Sequence, residues 1–275
     1  MADKPLVPAD MLGVVLGWWA FIAVRVVSLN GASRSRKRPM TPTTSGNRGE
    51  GLTLRQAALI AGFGYLLGPV TYAEFSIYPK LVIPTNIEQT VQNIAAHQGL
   101  FAAAILCYLV EFIEDIVIAW ALYFLLVPVN RAVSLLTAWF RLMYTAVALF
   151  GMLKLVTVFH MVNTPDYLAA FGSSTLHAEV KLLLGTFRDD WSIGLVLFGI
   201  HLILLGYLIY RSGYIPKVLG ILLIVDGLGW LVDSLQPYLY PNAHLKYLFI
   251  AFFGEVFLML WLLIRGWKIQ EPIES

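Results

Sequence analysis

Three acidic side chains, Glu111, Glu114 and Asp115, stand at i, i+3 and i+4 inside an otherwise apolar run. On a helix that spacing sets them on one stripe. Three carboxylates so close cannot all stay ionised in a dry site: one is protonated, or a cation sits among them. Such a stripe suits proton carriage or hard-metal binding. A guanidinium, Arg141, lies in a second apolar run, with Tyr144 and Thr145 at i+3 and i+4 on its face. Its planar fork can take carboxylates bidentately, which makes it a natural hub. His201, Asp226 and Glu255 fall in three further apolar runs. Counted at 1.5 Å per residue, Arg141 and Asp226 lie roughly 12 Å from the cytoplasmic ends of their runs. His201 and Glu255 lie roughly 14–17 Å in, and Asp115 is near that level. Arg141, Tyr144, His201, Asp226, Glu255, Glu111, Glu114 and Asp115 are therefore the candidate binding layer. The alternative is that Arg141 with Asp226 or Glu255 is a buried pair that fixes helix register.

The elements that hold this layer are dictated by composition. Of 275 residues, 59% are hydrophobic and 13% charged, with 19 Lys+Arg against 17 Asp+Glu. Mean hydropathy is +0.73. Soluble domains carry about 25% charge, so this chain cannot cover a soluble surface. A soluble enzyme, a disordered chain and a nucleic-acid binder are excluded, and an integral membrane protein is left. Six runs reach the roughly 20 apolar residues that a spanning helix needs: 56–78, 98–127, 133–162, 190–210, 218–239 and 246–266. A weaker seventh, 11–29, contains Arg25 and precedes a basic polar stretch with RSRKR, which reads as a topology signal. The expected fold is an all-α polytopic bundle of six transmembrane helices plus this N-terminal helix. Residues 1–51 form an appendage (helix 11–29, linker 30–51), 52–270 the six-helix domain, and 271–275 a cytoplasmic tail. Met40 opens a polar tract and is a possible alternative start.

Orientation follows from Lys and Arg. With residues before 56 inside, eleven of them (Arg34, Arg36, Lys37, Arg38, Arg48, Arg55, Arg131, Arg211, Lys217, Arg265, Lys268) are cytoplasmic and four (Lys80, Lys181, Arg188, Lys246) are outside. The six-helix core is then expected in the cell membrane with both ends cytoplasmic. The longer outer connections, 79–97 and 163–189, read as amphipathic segments lying on the outer leaflet. Gly64 and Gly68 form a GxxxG, a helix-packing signal. Trp191, Tyr207, Tyr210, Tyr238, Tyr240 and Trp267 read as interfacial anchors. Lys154 is a partner for Glu111 or Asp190, while Asp233 and Glu74 read as hydrated positions near the outer interface.

The single cysteine, Cys107, permits no intrachain disulfide. His97, His160, His177 and His244 fall on the outer side without ligand spacing such as HxxxH, so no metal and no cofactor is expected. P-loop, GxGxxG and GxSxG signatures are absent from the sequence.

Several stretches together carry a resemblance: RQAALIAG at 55–62, ALYFLLVPVN at 121–130, FRLMY at 140–144, DDWSIGLVLFG at 189–199, GYLIYRSGYIPKVLGILLI at 206–224 and EVFLMLWLLIRGWK at 255–268. The chain resembles the prokaryotic multi-pass membrane family called domain of unknown function 4386, over roughly residues 52–270. The resemblance implies six spans and carries no activity over. Two local departures are a more acidic second span and Ser192 after the DW pair. Three functional classes stay open on the sequence. One is a protein that binds or moves a small solute, proton or lipid through the polar layer, with Arg141 holding an anionic group and Glu111, Glu114 and Asp115 carrying protons or a cation. Another is an intramembrane, metal-assisted hydrolase using the carboxylates and His201. The third is a structural or regulatory subunit. The lipid bilayer is the expected partner, and the sequence leaves the oligomeric state open.

Overall fold

The computed structural model describes residues 52–240 and 253–270. The expected helix 11–29, Met40, His244, Lys246 and the first part of the last span lie outside the described residues. Within them the elements are helices, with no strand.

Helix α1 (Leu54–Leu67) starts at a capping box, where Thr53 accepts from the Gln56 N–H and the Gln56 side chain answers to the Thr53 N–H. It stops at Gly68, whose φ of 34° is a left-handed conformation that a β-carbon disfavours. Pro69 then starts a second run, α2 (Pro69–Tyr72), a π turn (Ala73–Ile77) and α3 (Tyr78–Leu81). Asn86 caps α4 (Ile87–Ala96), which leads into α5 (Gln98–Leu126). Asn130 caps α6 (Arg131–Asn163), its side chain accepting from the Val133 N–H at 3.0 Å. Then follow α7 (Pro165–Ser212), α8 (Lys217–Leu239), α9 (Gly254–Arg265) and a 3₁₀ turn (Gly266–Lys268).

The long helices close a ring in chain order. α1 packs on α5, α5 on α6, α6 on α7, α7 on α8, α8 on α9, and α9 returns to α1.

Among the described residues three helices are long and apolar enough to cross a membrane: α6, residues 169–212 of α7, and α8. The sequence reading expected six. Each of the others has a local reason to fall short. Every 18-residue stretch of α5 contains all of Glu111, Glu114 and Asp115. The first apolar run is broken at Gly68, so α1 has 14 residues. α9 has 12 residues within the described part.

A second difference concerns 163–189. This stretch is not a separate surface segment. α7 is interrupted only at Gly172 (φ 69°, ψ 162°) and then runs unbroken to Ser212. Forty helical residues extend about 60 Å, twice the thickness of a bilayer core. The stretch is amphipathic, but its apolar stripe, Leu176, Val180, Leu184 and Phe187, is buried in protein. It packs in one core with Ile94 of α4 and with Leu155, Val158 and Met161 of α6. A helix whose apolar face finds protein has no need of the lipid surface.

The GxxxG divides between two roles. A β-carbon on Gly64 would lie 2.5 Å from the Ile118 side chain, so this glycine is a packing position between α1 and α5. Gly68 instead ends the helix.

Candidate functional site

Arg141 sits on the inner face of α6 and is 2% exposed. Its Nε and Nη2 both donate to Asp115 Oδ1 on α5, at 2.9 and 2.6 Å. Its Nη1 donates to the Tyr65 hydroxyl on α1 at 2.9 Å and faces His201 Nε2 on α7 at 3.3 Å. Glu255 Oε1 on α9 lies 3.7 Å from the same nitrogen. One side chain thus ties four other helices to α6. The guanidinium also packs against aromatic faces, with Arg141 Cζ 4.9 Å from the Tyr65 centroid and 5.3 Å from that of Phe198.

The hydrogen bonds fix the state of His201. Its Nδ1 is 2.8 Å from the Thr137 carbonyl, which can only accept, so Nδ1 carries the proton. Nε2 faces a guanidinium, which can only donate, so Nε2 accepts. Both ring nitrogens of this fully buried imidazole are occupied, leaving neither for a metal or for use as a base.

Asp226 of α8 does not touch Arg141. Its Oδ2 accepts from the Glu255 backbone N–H at 3.2 Å, in the first turn of α9. Glu111 makes a similar contact: its Oε2 is 3.4 Å from the Val70 N–H, just past the break at Gly68. Glu114 is buried, neither of its oxygens has a hydrogen-bond partner, and it does not line the central cavity. The acidic stripe therefore splits, with Glu111 and Asp115 facing inward and Glu114 elsewhere.

The cavity has a volume of about 570 Å³ and is lined from every helix of the ring. Tyr65 comes from α1, with Val70, Thr71, Glu74 and Phe75 from the run after the break. Glu111, Asp115 and Ile118 come from α5, Arg141 and Tyr144 from α6, and Trp191, Leu195 and Phe198 from α7. Trp230 comes from α8, and Glu255, Val256 and Met259 from α9. Five of the eight sequence-predicted residues line it, namely Arg141, Tyr144, Glu255, Glu111 and Asp115. His201 and Asp226 stand behind that wall, the first on Arg141 and the second on the backbone of Glu255.

Tyr65 and Trp191 are wall residues outside the predicted set. Tyr65 carried no motif, and only its position three residues before the Gly68–Pro69 break hinted at a place near the centre. Trp191, read as an interfacial anchor, instead lies within 6.3 Å, centroid to centroid, of Tyr108, Phe112, Tyr144 and Phe187. Phe198 continues this aromatic wall, 4.8 Å from Tyr144 and 6.2 Å from Trp230. Tyr207, Tyr210, Tyr238, Tyr240 and Trp267 are exposed, as anchors are.

Two further ion pairs flank the centre. Glu74, on the π turn, accepts from Arg188 at 2.9 Å and from the Tyr108 hydroxyl, so it is paired across the cavity's edge rather than merely hydrated. Lys154 pairs with Asp190, one of its two expected partners. Asp233 is exposed. Among the described residues, no three His, Cys, Asp or Glu side chains converge as a metal site.

A closed ring of apolar helices around a buried arginine and an acidic, aromatic-walled cavity defines a helical membrane protein with a polar interior. The chain belongs to the family described as Domain of unknown function (DUF4386), which matches residues 60–266 and so includes every residue that lines the cavity. It is also similar to an uncharacterized protein of Archaeoglobus fulgidus, with 31% identity over 195 residues, covering 71% of this chain and 96% of that protein. No solved structure matches.

Proposed function

We propose that this protein is a six-span protein of the cell membrane that binds a small solute in the cavity at the centre of its helix ring. The observation that carries the reading is the cavity itself. Its 570 Å³ falls within the usual 300–1,000 Å³ of small-molecule sites, and all six long helices contribute to its wall. Mostly apolar walls with a few convergent polar groups are what such sites present. A purely structural bundle would fill this space with side chains. The hydrolase alternative is weakened by His201, whose two ring nitrogens are already engaged.

Protein extracted in mild detergent is expected to retain or take up a low-molecular-weight ligand, read by native mass spectrometry. Leu195→Trp, which fills the cavity from α7, is expected to abolish that uptake while the protein still runs as a single species on size exclusion. Equal uptake by this variant would refute the reading.

The span count and orientation are part of the proposal. The basic residues support an arrangement with both ends of the six-helix core cytoplasmic. Cys107, the sole cysteine, is 3% exposed and provides a silent background for labelling. On intact cells a membrane-impermeant maleimide is expected to label Lys80→Cys and Lys181→Cys. Arg131→Cys and Arg211→Cys are expected to react only after permeabilisation. The reverse pattern would invert the topology.

A further inference from the structure

The cavity wall says which charge it accepts. Among the described residues Arg141 is its only basic one, and four of the five guanidinium N–H groups are taken, two by Asp115, one by Tyr65 and one by His201. An anion entering the cavity would find almost no free guanidinium donor there. The acceptors are in the opposite condition. Asp115 Oδ2 and Glu255 Oε1 have no hydrogen-bond partner, and Asp115 is 1% exposed. Glu111 has a backbone N–H at 3.4 Å, and none of the described ion pairs includes it. With Glu74 matched by Arg188, three carboxylates face one guanidinium across the cavity. The sequence reading offered an anion on Arg141 and protons or a cation on the carboxylates; the free acceptors favour the second.

The remaining wall is aromatic. Ring faces attract cations, best when desolvated, and aromatic enclosures take quaternary and alkyl ammonium groups. A bare metal ion would need oxygens converging within about 2.6 Å of one point. The cavity is far larger than one ion, and its carboxylates do not meet that way among the described residues. Resting on the solute-binding reading above, we propose that the ligand is a small organic cation. Its ammonium group sits against Glu111 and Glu255, and its apolar part against Tyr144 and Trp191.

Tetraphenylphosphonium and tetraphenylborate have the same shape and opposite charge, and so isolate the sign. The experiment is equilibrium dialysis of each ion against the full-length protein in detergent. The expected result is saturable phosphonium binding and no borate binding. Glu255→Gln and Glu111→Gln, which keep the side-chain shape, each weaken phosphonium binding by about tenfold or more, the scale of one charge-assisted contact. Leu195→Trp abolishes it. Borate bound as well as phosphonium, and blocked by Leu195→Trp, would overturn the cation assignment and leave the solute cavity standing. Phosphonium binding unchanged in both glutamine variants would do the same. Binding of either ion that Leu195→Trp does not alter would sink both readings.

An ammonium group can arrive on a free solute or on a lipid headgroup, and one added arm separates them. In nanodiscs of fixed phosphatidylglycerol content, replacing a neutral glycolipid by phosphatidylethanolamine is expected to lower phosphonium affinity if headgroups compete. Unchanged affinity assigns the site to a free cation. This arm names the source alone; the sign stands or falls on the phosphonium and borate comparison.

Discussion

Arg141→Met is expected to lower the stability of the detergent-solubilised protein by about 3–5 kcal/mol, the range for breaking one half of a buried ion pair. The loss arises chiefly from what is left behind. Asp115, 1% exposed, keeps its charge and loses both donors at Oδ1. The Tyr65 hydroxyl and His201 Nε2 lose their donor in the same step. The double variant Arg141→Met with Asp115→Leu removes the stranded carboxylate and is expected to recover most of the loss, because apolar replacement of a buried pair is often neutral. Thermal unfolding of the two single variants and the double gives the coupling directly. The same proteins separate binding from architecture. Glu111 and Glu255 survive in the double variant, so it should fold and still bind tetraphenylphosphonium. Loss of phosphonium binding in a well-folded double variant would instead place Arg141 or Asp115 in direct contact with the ligand.

The central layer was legible in the sequence because the physics of a bilayer makes it so. A charged group is costly in hydrocarbon, so Arg141, Asp115 and Glu255 stood out without any structure. The fixed rise of a helix then placed their depths, and His201 with them. What failed was whatever depended on rotation about the helix axis or on neighbours. Glu111 and Glu114 occupy one stripe in sequence, yet the curvature of that stripe around α5 is enough to send only Glu111 and Asp115 to the cavity. Trp191 and Tyr65 carry the amphipathic side chains typical of the membrane interface, and composition alone cannot tell a ring at the interface from a ring on an inner wall. The stripe on 173–189 was visible, but whether lipid or α6 covers it depends on α4, a short helix whose partner the sequence does not name. The engagement of Arg141 was hidden for a related reason. Arg141 is a free cation on paper and a spent one once its four hydrogen bonds are drawn.

Gly206→Ala and Gly220→Ala are each expected to destabilise the bundle by about 1–3 kcal/mol, as overpacking does. A β-carbon on Gly206 would lie 2.5 Å from the Gly220 carbonyl oxygen, and one on Gly220 would lie 2.6 Å from the Gly206 carbonyl oxygen. The pattern repeats at Gly199 and Gly227, with 2.7 and 2.5 Å to the opposite carbonyl. Both pairs are centred on residue 213, where the chain turns between α7 and α8 with a φ of 75°. The four glycines therefore encode one antiparallel register, with backbone laid on backbone. Read singly, none of them signals this, since the spacing that matters is across the turn. The obstructing atoms are main chain and cannot rotate away, so relief requires the helices to separate. Gly185→Ala, on the same helix with nothing within 4 Å of its β-carbon, is the control and should be neutral or stabilising by up to about 1 kcal/mol. The two kinds of glycine are distinguished by thermal unfolding of the three variants. Separation should also reach the cavity, because Phe198 and His201 lie between Gly199 and Gly206 or beside them on α7, and Trp230 lies just beyond Gly227 on α8. Moving α8 off α7 draws Trp230 away from Phe198, now 6.2 Å distant, and opens the aromatic wall. Tetraphenylphosphonium affinity should then fall in Gly206→Ala and Gly220→Ala but hold in Gly185→Ala. Unchanged affinity in all three would mean that the α7–α8 seam carries stability alone and that the cavity is set by the Arg141 contacts.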